Sequence, residues 1–145
     1  MKRKILLVGG AGFIGHNLAV LLKKKNQDVI VADNLNINSL NFIRKEIKDK
    51  NKKKLYNTFI KERLKLLKKN KVLFKKVDAQ NKKQLNNVVK KYHPDVLVHL
   101  AAVSHDGRSN KNPELAFNNS FKTLFNSLES VKDLKKIHFI FLSSS

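Results

Sequence analysis

Short, wholly apolar runs alternate along this chain with longer stretches in which apolar residues recur every three or four positions, the pattern of strands and helices taken in turn. Ile5, Leu6, Leu7 and Val8 form the first run. Phe13, Ile14, Leu18, Leu21 and Leu22 follow at helical spacing and predict a helix over 13–22. Val29, Ile30, Val31 and Ala32 predict a second strand that ends on Asp33. The region 34–70 is polar: Leu40, Ile43 and Ile47 suggest one helix, and Tyr56, Phe59, Ile60, Leu64 and Leu67 mark another. The Lys-rich stretch 48–54 between them reads as a solvated loop or a frayed helix face, without a function. A third strand over 72–77 ends on Asp78, and Asn81-x-x-Gln84 looks like a capping box opening a helix to residue 91. His93, Pro94 and Asp95 break the chain before a buried strand over 96–100 and the small pair Ala101 and Ala102. A long loop leads through Asn112 and Pro113 into a helix over about 114–131. A fifth strand covers 137–142.

Strands alternating with helices predict an α/β fold, a doubly wound parallel sheet covered on both faces. Right-handed crossovers give the order 3-2-1-4-5, with a ligand crevice between strands one and four. The glycines after the first strand sharpen this expectation. They fit both Gly10-x-Gly12-x-x-Gly15 and Gly9-x-x-Gly12-x-x-Gly15. The first makes the tight turn, Gly12 leaves the backbone open to a pyrophosphate, and Gly15 lets the helix pack close to the strand. Phosphate oxygens then meet free N–H groups at the positive end of the helix. Asp33 falls about 20 residues past the glycines, where a carboxylate can accept both hydroxyls of an adenosine ribose. The same carboxylate repels a 2′-phosphate, and no Arg follows it in Asn34, Leu35 and Asn36, so NAD is favoured over NADP.

With 145 residues the chain is one domain, 1–145. It has no cysteine, hence no disulfide framework and no thiolate metal site, and nothing points to an oxidising compartment. Glycines interrupt the apolar run behind Lys2, Arg3 and Lys4 too early for a secretory signal, and no membrane span follows; the expected location is cytoplasmic. The net charge of +20 raises nucleic acid as a partner. The excess is nearly all Lys, with Arg only at 3, 44, 63 and 108, whereas base readout and bidentate phosphate contacts favour Arg. No specific nucleic-acid binding is therefore expected, only nonspecific adhesion to RNA at low salt.

In order, these motifs resemble the first half of an extended short-chain dehydrogenase/reductase of the NAD-dependent nucleotide-sugar epimerase/dehydratase group. The resemblance spans essentially all 145 residues. It rests on Gly9 to Gly15, on Asp33, Asn34 and Leu35, on Asp78 and Ala79, on His99, Leu100, Ala101 and Ala102, on Asn119 with Thr123, and on the closing Phe141, Leu142, Ser143, Ser144 and Ser145. It implies a Rossmann-type domain in which Phe13 and Ile14 line the pyrophosphate and Asp33 with Asn34 holds the adenosine ribose. Asp78 and Ala79 would touch the adenine. Leu100, Ala101 and Ala102 would run under the nicotinamide ribose, with Asn119 beside them. The chain departs from the family in placing Lys122 where a glycine is usual.

Chemistry in that family needs a Tyr phenol as acid/base, a Lys four residues on and a hydrogen-bonding Ser or Thr. Ser144 or Ser145 would supply the last. The two tyrosines, Tyr56 and Tyr92, are followed four positions later by Ile60 and Val96, so no Tyr-x-x-x-Lys is present. The resemblance thus implies the NAD-binding portion of a nucleotide-sugar epimerase/dehydratase, truncated before its substrate-binding part and inactive by itself. A nucleotide sugar would be a substrate only of the intact enzyme, and a homodimer or a complementing C-terminal fragment a partner. The alternative is a non-catalytic NAD-binding regulatory or interaction module. Ser104, His105 and Asp106 carry triad letters, yet sequence neighbours point apart and form no relay. His99 and His105 lack further ligands at useful spacing, so no metal site is expected.

Overall fold

Successive residues of a strand face opposite ways, so an apolar run such as Ile5 to Val8 must be covered on both sides. The computed structural model, which describes residues 1–36, 47–102 and 112–143, meets that requirement with one parallel sheet. Its strands are β1 (Lys4–Val8), β2 (Asp28–Asp33), β3 (Leu73–Lys76), β4 (Val96–His99) and β5 (His138–Phe141), in the order β3-β2-β1-β4-β5. The described helices are α1 (Phe13–Lys24), α2 (Lys50–Lys69), α3 (Lys82–Tyr92), α4 (Pro113–Phe117) and α5 (Thr123–Val131), with a π-helical turn (Asn118–Lys122) joining the last two.

Two cores result. Leu6, Val8, Ile30, Ala32 and Leu97 face one side, under Leu85, Val88 and Val89 of α3 and Val131 of α5. Ile5, Leu7, Val29, Val31, Val96 and Val98 face the other, under Ala19 of α1 and Leu67 of α2. Each fully buried Leu or Val contributes about 1.5–3 kcal/mol, which makes the central strands the anchor of everything at their ends. Val8 of β1 pairs with Ala32 of β2 and with His99 of β4, and Asp33 pairs with Lys76 of β3. Gly9, Asp33, Val77 and Leu100 therefore leave the sheet along a single edge.

Several local expectations change in detail. Asn81 does cap α3, its Oδ1 accepting from Gln84 N–H at 3.1 Å, but the return arm of the box goes elsewhere. Gln84 Oε1 accepts from Asp78 N–H at 3.0 Å, pinning the end of the strand instead of the cap. The Lys-rich stretch is mostly helix, because Asp49 caps α2 by accepting from Lys52 N–H at 2.7 Å. The single helix expected over 114–131 carries an inserted π turn. Asn119 Nδ2 donates to Leu115 O at 2.7 Å, and Thr123 Oγ1 lies 2.9 Å from Asn119 O and 3.1 Å from Ser120 O. Side chains thus supply donors to carbonyls that a widened turn offers. Lys122, in that turn, is exposed. The helix suggested by Leu40, Ile43 and Ile47 lies mostly outside the described residues, as do Ser104, His105 and Asp106. No described helix is long and apolar enough to cross a membrane.

Candidate functional site

The turn from β1 into α1 is built on close approach. Gly9 has φ +78°, the left-handed region, and a Cβ there would lie 2.8 Å from Ala101 N. This contact brings the glycine loop against the end of β4. A Cβ on Gly15 would stand 2.5 Å from Gly10 Cα, so the first turn of α1 rests directly on the loop backbone. Gly12 differs. It is the N-cap of α1, with φ −67° and ψ −178°, an extended conformation open to any residue. A Cβ there would meet only Gly9 O, at an ordinary 3.4 Å. Nothing in the protein demands a glycine at that position, and no side chain caps the helix end. The space in front of Gly12 is a cradle of the kind that a phosphate fills, and the residues fit such a group.

Asp33, at the end of β2, is 7% exposed. Its Oδ2 accepts from Ala11 N–H at 3.0 Å and its Oδ1 from Leu35 N–H at 2.8 Å. One carboxylate therefore ties the glycine loop to the turn after β2. Burial pushes its carboxyl above the ordinary value, against the two backbone N–H groups, which hold it down. A carboxylate has about four acceptor positions, so both oxygens keep capacity for a ribose hydroxyl.

On the other side of the edge, Asp78 Oδ1 accepts from Gln80 N–H at 2.9 Å. Asn126, 4% exposed on α5, donates through Nδ2 to Ala79 O at 2.8 Å and Gln80 O at 2.9 Å. Gln80 Nε2 donates to Asn119 Oδ1 at 3.1 Å. The Asp78–Ala79 turn is thereby fastened to the helix that carries Asn119, and both arms of the Asn119 amide engage the protein.

Beneath Leu100, Ala101 and Ala102 lies a polar cluster. His99, 1% exposed, has Nδ1 3.0 Å from Ser127 Oγ, and Ser127 donates its proton to Thr123 O at 2.8 Å. The imidazole Nδ1 must then be the donor of that pair, which fixes the tautomer from its partners. Burial pulls the His99 pKa from 6.5 to about 4, although the Ala101 backbone opposes the shift. The ring is neutral, and it supports the backbone of Ala101 from below. Thr123 Oγ1 lies 3.3 Å from Ala101 O and 3.5 Å from His99 Nε2, so the same cluster closes around the Ala101 backbone.

The expected positions Gly9, Gly12, Phe13, Ile14, Gly15, Asp33, Asn34, Asp78, Ala79, Leu100, Ala101, Ala102 and Asn119 follow the strand ends on one side of the sheet, and the contacts above join Gly9 to Ala101, the glycine loop to Asp33, and Ala79 to the helix that carries Asn119. Ser144 and Ser145 lie outside the described residues. Gln80, Asn126, Ser127 and the supporting role of His99 went unread in the sequence. Their signal was faint: polar residues at Thr123, Asn126 and Ser127 on the face that Val131 marks as inward.

A glycine-loop strand–helix unit facing a buried carboxylate on the next strand, at the reversal point of a parallel sheet, defines a dinucleotide-binding domain of the Rossmann type. The chain belongs to the NAD dependent epimerase/dehydratase family, whose model matches residues 5–145. It is similar to the dTDP-D-glucose 4,6-dehydratase of Dictyostelium discoideum, 32% identical over 148 residues, covering 98% of this chain and 29% of that protein. It is also similar to the UDP-glucose 4-epimerase of Schizosaccharomyces pombe, 26% identical, covering 97% of this chain and 35% of that protein. Among solved structures, the UDP-glucose-4-epimerase from Stenotrophomonas maltophila, with bound NAD and formylated UDP-arabinopyranose, superposes with a TM-score of 0.73 at 21% identity. That match covers 99% of this chain and 37% of the other. The chain spans about a third of the length of these relatives.

Proposed function

We propose that these residues bind NAD, as the cofactor-binding portion of a nucleotide-sugar epimerase/dehydratase. The observation that carries the reading is Gly12, a glycine that neither backbone conformation nor packing requires, set at an uncapped helix end in front of open space. Membership of an NAD dependent family supports the choice of dinucleotide. In this reading Gly12, Phe13 and Ile14 meet the pyrophosphate, Asp33 and Asn34 the adenosine ribose, and Asp78 and Ala79 the adenine. Leu100, Ala101 and Ala102 carry the nicotinamide ribose, with Asn119 beside them. Bound NAD supplies a hydride acceptor for a sugar carbon; the residues here bind and orient it. Because neither Tyr56 nor Tyr92 has a Lys four positions on, we assign them no part in turnover.

Calorimetric titration tests this directly. The protein is expected to bind NAD saturably and NADP at least about tenfold more weakly, because Asp33 repels a 2′-phosphate. Gly12→Ala is expected to melt within a few degrees of the parent, since its methyl meets only Gly9 O at 3.4 Å, while NAD affinity falls by about tenfold or more. Equal binding of NAD and NADP sinks the Asp33 assignment. An unchanged NAD affinity in Gly12→Ala sinks the cradle.

The partner is, in the same reading, a second copy of the chain. Phe117, Phe121, Phe125 and Leu128 recur at helical spacing and are 58%, 65%, 59% and 46% exposed, a seam suited to packing against another helix. Phe121→Asp is then expected to abolish concentration-dependent association in sedimentation while leaving the circular dichroism spectrum unchanged. A parent protein that stays monomeric at high concentration removes the idea.

A further inference from the structure

Beyond β3, Val77 N–H donates to Asp33 O at 3.2 Å, and the chain then turns through Asp78, Ala79 and Gln80 into α3. Carbonyls of successive residues point opposite ways along an extended strand. Here Ala79 O and Gln80 O both accept from Asn126 Nδ2, at 2.8 Å and 2.9 Å, so the turn is folded around one amide from α5. Asn126 is 4% exposed and Ala79 8%. An amide so deeply buried needs partners, and it finds both in this turn.

The peptide unit between Ala79 and Gln80 carries the effect further. It is planar, with its C=O and N–H pointing opposite ways. Its oxygen accepts from Asn126, and its N–H donates to Asp78 Oδ1 at 2.9 Å. A rigid plate thus fixes the Asp78 carboxylate relative to Asn126. Two contacts of the Asp78 backbone complete the frame: Asp78 N–H donates to Gln84 Oε1 at 3.0 Å, and Asp78 O accepts from Asn81 N–H at 3.0 Å. The half-buried carboxylate keeps acceptor capacity, since it has about four acceptor positions and Gln80 N–H takes one. A carboxylate held in one orientation suits an N–H donor, such as the exocyclic amino group of a purine, and disfavours a carbonyl in the same place.

We propose that Asn126 is a positioning residue for adenine recognition: through the Ala79–Gln80 peptide it aims the Asp78 carboxylate at the exocyclic amino group of the dinucleotide. The proposal rests on the NAD reading above and adds α5 to the adenine end of the site.

The test is calorimetric titration of the full chain with NAD and with nicotinamide hypoxanthine dinucleotide, in which a carbonyl replaces the amino group. The parent is expected to prefer NAD by about tenfold or more. Asn126→Leu, similar in size but without N–H groups, is expected to reduce that preference to within about threefold. A purely structural role would lower both apparent affinities by the same factor, because unfolding removes competent protein from both titrations alike, and would leave their ratio unchanged. Asn126→Ser, whose smaller side chain leaves room for water at the two carbonyls, is read by the same ratio where Asn126→Leu does not fold. Asp78→Ala is expected to lose the preference too, and in the double variant the two losses do not add, since both act on one carboxylate. A parental preference retained without Asn126, or additive losses in the double variant, overturns the Asn126 proposal alone. A parent that binds both dinucleotides equally overturns the aim of Asp78 and the proposal with it, while the NAD reading stands. A parent that fails to bind NAD overturns the cofactor reading and this inference together.

Discussion

Gly15→Ala is expected to destabilise the protein by about 2–3 kcal/mol and to abolish measurable NAD binding, whereas Gly12→Ala is expected to weaken binding with its stability kept. Helix propensity alone predicts the opposite sign, since alanine in place of glycine inside a helix gains about 1 kcal/mol. Packing overrides it. The new methyl would stand 2.5 Å from Gly10 Cα, 2.6 Å from Gly10 O and 2.7 Å from Gly10 C, all main-chain atoms that no rotamer change can move aside. Gly10 is itself pressed on Leu7 and Val31, so the loop can relieve the overlap only by lifting away from the sheet. That motion would carry Ala11 N–H from Asp33 Oδ2, and the carboxylate would lose a partner in a buried place. Urea unfolding and NAD titration of the same sample check both parts. A Gly15→Ala protein as stable as its parent would mean that α1 does not rest on the loop as described.

The second large effect is a loss of stability in mild acid that His99 governs. Its folded pKa of about 4 lies below the unfolded value of 6.5, so the unfolded chain binds the extra proton first. The contribution is complete above about pH 6.5 and is lost progressively as the pH falls toward 4, at about 1.4 kcal/mol for each unit and so about 3 kcal/mol in all. The cause is burial: at a 1% exposed position beneath Ala101 the charged imidazolium is desolvated. Other groups titrate in the same range. Asp28 and Glu129, held below the ordinary carboxylate value by Lys2 and Lys82, lose stability in the same direction. Asp33, raised by burial, works the other way. Comparison with His99→Gln separates them. Between pH 7 and pH 4.5 the parent is expected to lose about 2–3 kcal/mol more than the variant in urea titrations, and parallel profiles would show that His99 is not the titrating group.

How far the sequence carried the architecture depended on the kind of signal. Ile5 to Val8 and Val96 to Val98 are apolar at every position, and only a sheet buried on both faces accommodates that, so the strand order followed from the number of strand–helix units and the handedness of crossovers. The glycines at the turn into α1 and Asp33 at the end of β2 were equally legible, because a turn this close limits residue type at fixed offsets along a short stretch of chain. Other features depended on partners distant in sequence. The choice of Gln84 Oε1 for Asp78 N–H over the capping box was decided once β3 and α3 were in place. The π turn at Asn118–Lys122 leaves no trace in the periodicity, since Asn119 and Thr123 satisfy its carbonyls through side chains that suit an ordinary helix equally well.

The sequence by itself determined the alternation of strands and helices, the sheet order, and the place of the glycines and of Asp33 at one end of the sheet, because each is set by local spacing and by the handedness of the chain. Only the tertiary structure decided which distant side chains hold these turns together. The buried His99–Ser127–Thr123 cluster and the Asn126 clasp on Ala79 and Gln80 both join segments far apart in the chain. Such contacts are fixed by which helix faces pack together, and no pattern within a single segment encodes them.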